Sequence, residues 1–229
     1  MGNTKLLCDF REVMKISEIF FSIQGEGINS GVPSVFVRFF GCNLACRWCD
    51  TKFSWHPNFA RYTEKSTREV VDDIMQYGEK NHIVFTGGEP ALFQNDIRKI
   101  QRELQKKGTF SYEIETNGSR NIEDDFWDTI TISPKLHNSG NREYKIEARN
   151  FPQKTWWKFV VESENDIQEI LEIQKKYEIP NEKILLMPQA QTQKEIEKIS
   201  PKIIELCKKY GFRFCARLQI FVYSDTIGV

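Results

Sequence analysis

Gly41-Cys42-Asn43-Leu44-Ala45-Cys46-Arg47-Trp48-Cys49-Asp50-Thr51 brings three thiols into eight residues, with three residues between the first two and two between the last two. The stretch follows the apolar run Ser34 to Phe40. A loop of this size can turn three sulfurs toward one point, which a helix or strand of the same length would not do. Three soft ligands at one point suit an iron–sulfur cluster or zinc. With no fourth cysteine nearby in sequence, a four-iron cluster held here would keep one iron without a protein ligand. Chemistry needs such a vacancy, by the same logic that leaves catalytic zinc sites one position short. Two other readings stand beside this one. His56, seven residues after Cys49, could complete a structural zinc site, and some of the thiols could be ordinary buried residues. Spacing alone leaves cluster and zinc both open.

Outward from this loop, strand-like and helical patterns alternate. Lys15 to Ile23 reads as a strand running into the glycine-flanked loop Gln24-Gly25-Glu26-Gly27, and Ser34 to Phe40 as a buried strand interrupted by Arg38. A guanidinium there requires an anionic partner, either a protein carboxylate or an anionic substrate. Phe53 to Lys65 is irregular, and Ser66 or Thr67 caps a helix reaching about Lys80. Further strands are expected over residues 82–85, 112–115, 128–132, 155–161 and 183–187, with helices over 95–107, 165–177 and 193–210. Pro201 is expected to open a second segment of the last helix, and Phe212 to Tyr223 to form a closing strand. The alternation predicts βαβ units and a parallel sheet of about six strands, too few for a closed eight-stranded barrel. Periodicity does not choose between an open sheet and a partial barrel. Thr86 to Pro90, Glu115 to Gly118, Ser133 to Lys135 and Pro188-Gln189 each follow a strand, as the cysteine loop does. In parallel α/β architectures those strand ends form one rim, where binding sites lie.

The 229 residues read as a single domain, 1–229, with no linker to a second. Lys plus Arg and Asp plus Glu are both 32, which gives no electrostatic footprint for nucleic acid or an anionic membrane. No apolar run approaches the ~20 residues of a membrane span. The N-terminus mixes charge with apolar residues, unlike a signal peptide. Six cysteines, three of them clustered, fit a reducing compartment, with Cys8, Cys207 and Cys215 as free thiols. The expected location is the cytoplasm.

Cys42-x-x-x-Cys46-x-x-Cys49, with Trp48 before the last cysteine, resembles the signature of the radical S-adenosylmethionine (radical SAM) enzymes. Within that superfamily, a wider set of segments is similar to the 7-carboxy-7-deazaguanine synthase family. The set comprises Phe21 to Gly27, Arg38, Gly41-Cys42-Asn43-Leu44 with Trp48-Cys49-Asp50-Thr51, Thr86-Gly87-Gly88-Glu89-Pro90, Glu115-Thr116-Asn117-Gly118 and Ser133-Pro134-Lys135. The likeness runs in order from about Lys15 to Lys135 and reaches Met187-Pro188-Gln189.

That resemblance implies a partial six-stranded (β/α) barrel of radical SAM type with some helices shortened or missing. It implies a 4Fe–4S cluster on Cys42, Cys46 and Cys49, SAM on the vacant iron, and Mg2+ at Thr51, where a local turn after Asp50 is the plainer reading. SAM contacts would come from Trp48, Gly88, Glu89, Ser133, Pro134, Lys135, Lys158 and Gln189, with a solvent-facing Lys158 as the alternative. The implied reaction converts 6-carboxy-5,6,7,8-tetrahydropterin to 7-carboxy-7-deazaguanine with release of ammonia, toward queuosine and related 7-deazapurines. Reductive SAM cleavage, hydrogen removal from C6 and ring contraction are its implied course, and no side chain is singled out as catalytic. Pterin contacts are expected from Ile23, Gln24, Gly25, Glu26, Arg38, Thr86 and the C-terminal Val229. A small-molecule substrate, an external one-electron donor and a homodimer complete the implied picture. Two rivals stand: a radical SAM activase installing a glycyl radical on a partner protein, and a zinc-stapled binding module.

Overall fold

A computed structural model describes residues 13–79, 81–147 and 152–223. Cys8 and Val229 therefore lie outside the described residues. The chain opens with a long strand, β1 (Val13–Ile23), antiparallel to β2 (Pro33–Phe39) on one side and to β3 (Thr63–Ser66) on the other. Then come α1 (Thr67–Met75), β4 (His82–Gly87), α2 (Gln94–Gln105), β5 (Ser111–Thr116), β6 (Thr129–Ile132), β7 (Thr155–Val161), α3 (Asp166–Tyr177), β8 (Ile184–Pro188), α4 (Gln193–Tyr210), β9 (Arg213–Phe214) and α5 (Leu218–Tyr223). One sheet contains every strand, in the order β3-β1-β2-β4-β5-β6-β7-β8-β9. From β2 to β8, six neighbouring strands run parallel. The two ends of the sheet, β3 and β9, do not pair, so the barrel stays open as the resemblance implied.

Strand side chains alternate between faces, and the two faces differ in chemistry. Val35, Val37, Phe39, Ile83, Phe85, Ile114, Ile132, Phe159 and Leu186 point outward into one apolar core. The helices complete that core with Val70 and Ile74, Ile97 and Ile100, Ile167 and Ile170, and Ile203 and Leu206. Arg38, Thr86, Glu115, Ser133 and Lys158 occupy the alternate positions and line a cavity instead. This explains why charged residues interrupt apolar strands: the sheet buries one face in hydrocarbon and turns the other to a polar interior.

Ser66 caps α1 by accepting from Glu69 N–H while the Glu69 carboxylate accepts from Ser66 N–H, the reciprocal pattern expected of that sequence. Between β5 and β6, and between β6 and β7, the described residues form only single helical turns, so the helices trimmed there are those whose signal was missing.

Three expectations need correction. Residues 63–66 form a strand, because β1 offers them a free edge. Pro201 does not divide α4; it lies on an exposed stretch of an unbroken helix, where water can serve the carbonyl it leaves free. Residues 212–223 are not one strand. After two paired residues the chain turns into α5, which buries Ile220 against Ala190 and Ile196, so packing overrides β propensity.

Candidate active site

The polar face of the barrel opens at the C-terminal strand ends into a cavity of about 550 Å³. Cys42, Cys46 and Cys49 all line it, and all three are free thiols. Neighbouring turns pin the loop that carries them. Ala45 N–H donates to Asn141 Oδ1 (3.1 Å), Arg47 N–H to Ser139 O (3.0 Å) and Trp48 Nε1 to Asn138 Oδ1 (3.2 Å). Asn43 Nδ2 donates to Ser119 Oγ at 2.8 Å. Each sulfur also receives an N–H: Cys42 from Leu44 N (3.4 Å), Cys46 from Asn141 Nδ2 (3.2 Å) and Cys49 from Trp55 Nε1 (3.2 Å). Burial pushes the Cys42 thiol up to about 12 and raises Cys46 as well, with Lys135 opposing the rise at both.

This donor set fits an iron–sulfur cluster: three thiols, each with a hydrogen-bond donor, facing one space. Among the described residues no three His, Cys, Asp or Glu side chains draw in around a single ion. A cluster spreads its ligands over several metal atoms and does not require that. Nor does His56 complete a zinc site. Its Nδ1 accepts from Asn58 N–H at 3.3 Å, its ring rests against Trp55 and Phe59, and it does not line the cavity.

A charge network, mostly buried, lines the same cavity. Lys158 Nζ donates to Glu26 Oε2 at 2.6 Å and to Glu115 Oε1 at 3.3 Å. Arg217 Nε donates to Glu26 Oε1 at 3.0 Å, and the same guanidinium reaches Asp50 and the carbonyl of Ala190. Burial alone would raise Glu26, but Lys158 and Arg217 beside it hold its carboxyl well below the usual carboxylate range. Lys158 is held well above the ordinary lysine value, because Glu115 and Glu26 outweigh the effect of burial. Lys135 goes the other way: burial lowers it, against the pull of Cys46, and its ammonium donates to Ser133 Oγ (2.8 Å) over the Trp48 ring.

Of the two alternatives for Arg38, the protein carboxylate is present. Its Nε donates to Glu18 Oε1 at 2.6 Å on the paired strand, and its side chain lines the cavity. Gly87 and Gly88 are required by packing. A Cβ at Gly87 would lie 2.3 Å from Phe39 O, and one at Gly88 would lie 2.2 Å from Gly41 O. The strand end and the cysteine loop therefore touch backbone to backbone, with Glu89 N–H donating to Gly41 O at 2.8 Å.

Of the site residues expected from sequence, Ile23, Gln24, Gly25, Glu26, Arg38, Trp48, Thr51, Thr86, Gly88, Ser133, Lys135, Lys158 and Gln189 line the cavity with the three cysteines. Glu89 and Pro134 do not. The Glu89 carboxylate is fully buried and accepts from Thr116 Oγ1 (2.6 Å), Asn117 N (2.7 Å) and Ala91 N (2.9 Å), so it ties the turn after β4 to the turn after β5. Burial raises its pKa against those three donors. Val229 lies outside the described residues. Lys158 is buried, which excludes its solvent-facing alternative. Sequence reading gave no role to Glu115, Asp50, Arg217 or Gln219. Glu115 carried a signal, as a strand-end carboxylate in the alternating run Ser111 to Thr116, whereas Arg217 and Gln219 were hidden by reading their segment as a strand.

The family model of the radical SAM superfamily matches residues 36–200. A protein of Pyrobaculum aerophilum named 7-carboxy-7-deazaguanine synthase is 35% identical, the match covering 94% of this chain and 97% of the relative. One of the same name from Rhodopirellula baltica is 34% identical over 93% of this chain and 88% of its own. Among solved structures, QueE from Escherichia coli superposes with a TM-score of 0.68 at 28% identity, over 89% of this chain and 93% of that one.

Proposed function

This chain belongs to the 7-carboxy-7-deazaguanine synthases of the radical SAM superfamily, and on that premise we propose that it converts 6-carboxy-5,6,7,8-tetrahydropterin to 7-carboxy-7-deazaguanine with release of ammonia. The observation that carries this reading is one cavity lined both by a three-thiol loop and by the Glu26–Lys158–Glu115 network. A glycyl-radical activase would need to admit a polypeptide and has no use for that network; a zinc-stapled module has no use for the cavity.

Cys42, Cys46 and Cys49 are the residues to hold a 4Fe–4S cluster, and the cluster with SAM supplies the one-electron chemistry that starts the reaction. What this chain adds is binding, orientation and shielding. Gly88 with Ser133, Lys135, Trp48 and Gln189 form the wall assigned to SAM, whose amino and carboxylate groups suit backbone carbonyls and the Lys135 ammonium. Glu89 steadies the turn that carries Gly88, through its bonds to Thr116, Asn117 and Ala91, and the buried Pro134 sits between Ser133 and Lys135. Arg38 is assigned to the pterin carboxylate. Glu18 holds its Nε and fixes the guanidinium plane, and the Nη pair can then form two parallel hydrogen bonds. Glu26 is kept ionised and can accept from the pterin amino groups, with Ile23, Gln24, Gly25 and Thr86 around it. Phe20 and Phe36, stacked with ring centroids 4.9 Å apart, give the cavity an apolar patch that suits a flat bicycle. Thr51 is assigned to Mg2+, one protein oxygen with the rest from substrate and water. We take the working form to be a cytoplasmic homodimer of single-domain chains, served by an external one-electron donor and acting apart from nucleic acid and membrane. The family resemblance and the even charge support it, and among the described residues no helix is long and apolar enough to cross a membrane.

The test is anaerobic reconstitution followed by incubation with SAM, a reductant and the carboxypterin, with the deazaguanine product read by mass spectrometry. Arg38→Ala is expected to cut product formation on the order of 10²-fold while reductive SAM cleavage stays measurable. Equal loss of both activities removes Arg38 as the carboxylate clamp. Iron-loaded protein that forms no product points back to the activase.

A further inference from the structure

We propose that Trp55 and Asn141 set the reduction potential of the cluster, by donating N–H hydrogen bonds to the sulfurs of Cys49 and Cys46; the inference rests on the cluster reading above. Both donors come from segments to which the pterin chemistry gives no work. Trp55 belongs to the irregular stretch after the cysteine loop, and Asn141 follows the single turn at residues 137–139.

Trp55 Nε1 lies 3.2 Å from Cys49 Sγ, and its ring is braced edge-on against His56 with centroids 5.3 Å apart. The Asn141 amide is oriented by its other partners. Its Oδ1 accepts from Ala45 N–H at 3.1 Å and its Nδ2 donates to Ser139 Oγ at 3.0 Å, which turns the NH2 group and not the oxygen toward Cys46 Sγ at 3.2 Å. Among the described residues, Cys42 receives only the backbone N–H of Leu44, at 3.4 Å. Two of the three ligand sulfurs therefore carry side-chain donors that substitution can remove.

The sign of the effect follows from charge. The external donor gives the oxidised cluster one electron, no bond in the protein forms or breaks, and the sulfurs become more negative. An N–H aimed at a sulfur stabilises the more negative state more strongly, so each donor makes the cluster easier to reduce. Removing one is expected to lower the reduction equilibrium constant about tenfold, which for a one-electron couple is 59 mV. The two donors serve different sulfurs, so their effects should add.

The experiment is a redox titration, followed by electron paramagnetic resonance, of anaerobically reconstituted protein with four irons per chain. Trp55→Phe keeps an aromatic ring and removes the donor along with part of the indole; Asn141→Leu removes the amide; Asn141→Asp puts negative charge against Cys46. Expected are a potential lowered about tenfold in equilibrium constant for each single donor loss, an additive drop in the double variant, and a larger drop for Asn141→Asp than for Asn141→Leu. A merely structural role would not produce that order. Unchanged potentials with four irons retained overturn the proposal. So does a variant that loses its iron while the parent protein keeps it, since the residue then holds the loop and does not tune the metal. If the parent protein itself takes up a single zinc or no iron, the cluster reading falls instead.

Discussion

Glu113 and Glu115 stand two residues apart on β5, both on the polar face of the sheet, yet they belong to different kinds of structure. Glu113 has no exposed surface and short bonds to Thr131 Oγ1 (2.7 Å), Asn29 Nδ2 (2.8 Å) and His82 Nε2 (3.1 Å). The remaining His82 nitrogen meets Ser111 Oγ at 2.8 Å. Glu115 faces the cavity and is held more loosely, by Thr86 Oγ1 at 3.1 Å, Lys158 Nζ at 3.3 Å and Gln24 Nε2 at 3.4 Å. The deeper layer is a closed set of partners that asks nothing of a ligand. The upper layer concentrates full charges around a space and leaves hydrogen-bonding capacity open. A carboxylate's role here depends on how completely its partners are supplied by the protein, not on its burial in the same barrel.

If that contrast holds, a lesion in the deeper layer damages stability and one in the upper layer damages turnover. The largest effect is expected from Glu113→Leu, which strands the Asn29, His82 and Thr131 donors where water does not reach. The cost should be about 3–5 kcal/mol in urea unfolding. A pH series sharpens the point. Burial would raise the Glu113 carboxyl, but donors from His82, Asn29 and Thr131 outweigh it and hold it below the usual carboxylate value. Its stabilisation is thus complete above the ordinary value of about 4.3 and is lost as pH falls through the lower folded value. Glu113→Gln should therefore lose stability less steeply than the parent protein below about pH 4. Parallel curves would show that the carboxylate charge contributes nothing to this layer.

Part of the upper layer, Arg38, Glu26 and Lys158 with the cysteine loop, was legible from sequence; Glu115, Arg217 and the whole deeper layer were not, for a physical reason. Arg38 and Lys158 are charges inside apolar strands, and a charge there announces either a partner or a cavity. The cysteine loop and Gly87-Gly88 announce themselves by spacing at a strand end. Asn29, His82 and Glu113 come from a loop and two strands, each unremarkable alone, and only the register of β4 with β5, His82 opposite Ser111, brings them together. Arg217 was lost for a similar reason. Its segment has the β-branched and aromatic residues of a strand, and only the packing of Ile220 against Ala190 and Ile196 makes it a turn and helix that brings Arg217 to Glu26. Residues 63–66 carry no apolar alternation at all; the strand exists because β1 has an edge to offer.

The next largest effect is expected from Lys158→Met. Glu26 keeps Arg217 and Gln219 as partners, and Glu115, already partly exposed, can take water from the cavity. The stability cost should therefore stay below that of Glu113→Leu, at about 1–3 kcal/mol. Turnover should fall on the order of 10²–10³-fold, because the charge that organises Glu26 and Glu115 around the substrate is gone. Steady-state product formation beside urea unfolding of the same preparation checks this. A variant that loses more stability than Glu113→Leu but turns over normally would reverse the assignment of the two layers.

Asn29→Ala probes the seam between the layers and should give the smallest change. Asn29 sits on the loop that carries Gln24 and Glu26 at the cavity and reaches down to Glu113 and to Thr129 Oγ1 (3.2 Å). Losing a hydrogen bond to a charged, buried acceptor costs about 1.5–3 kcal/mol, and two donors to Glu113 remain, which favours the low end. The loop also loses its anchor below the substrate, so KM for the carboxypterin should rise a few-fold with kcat nearly unchanged, the pattern of weakened uniform binding. SAM cleavage without pterin should match the parent protein, since the cysteine loop is pinned by Asn43, Asn138 and Asn141 and not by Asn29. A fall in stability with no change in KM would mean that the deeper layer ends at Asn29 and holds nothing for the site above it. A rise in KM with no fall in stability would mean that the loop is positioned from the deeper layer at no cost to the fold.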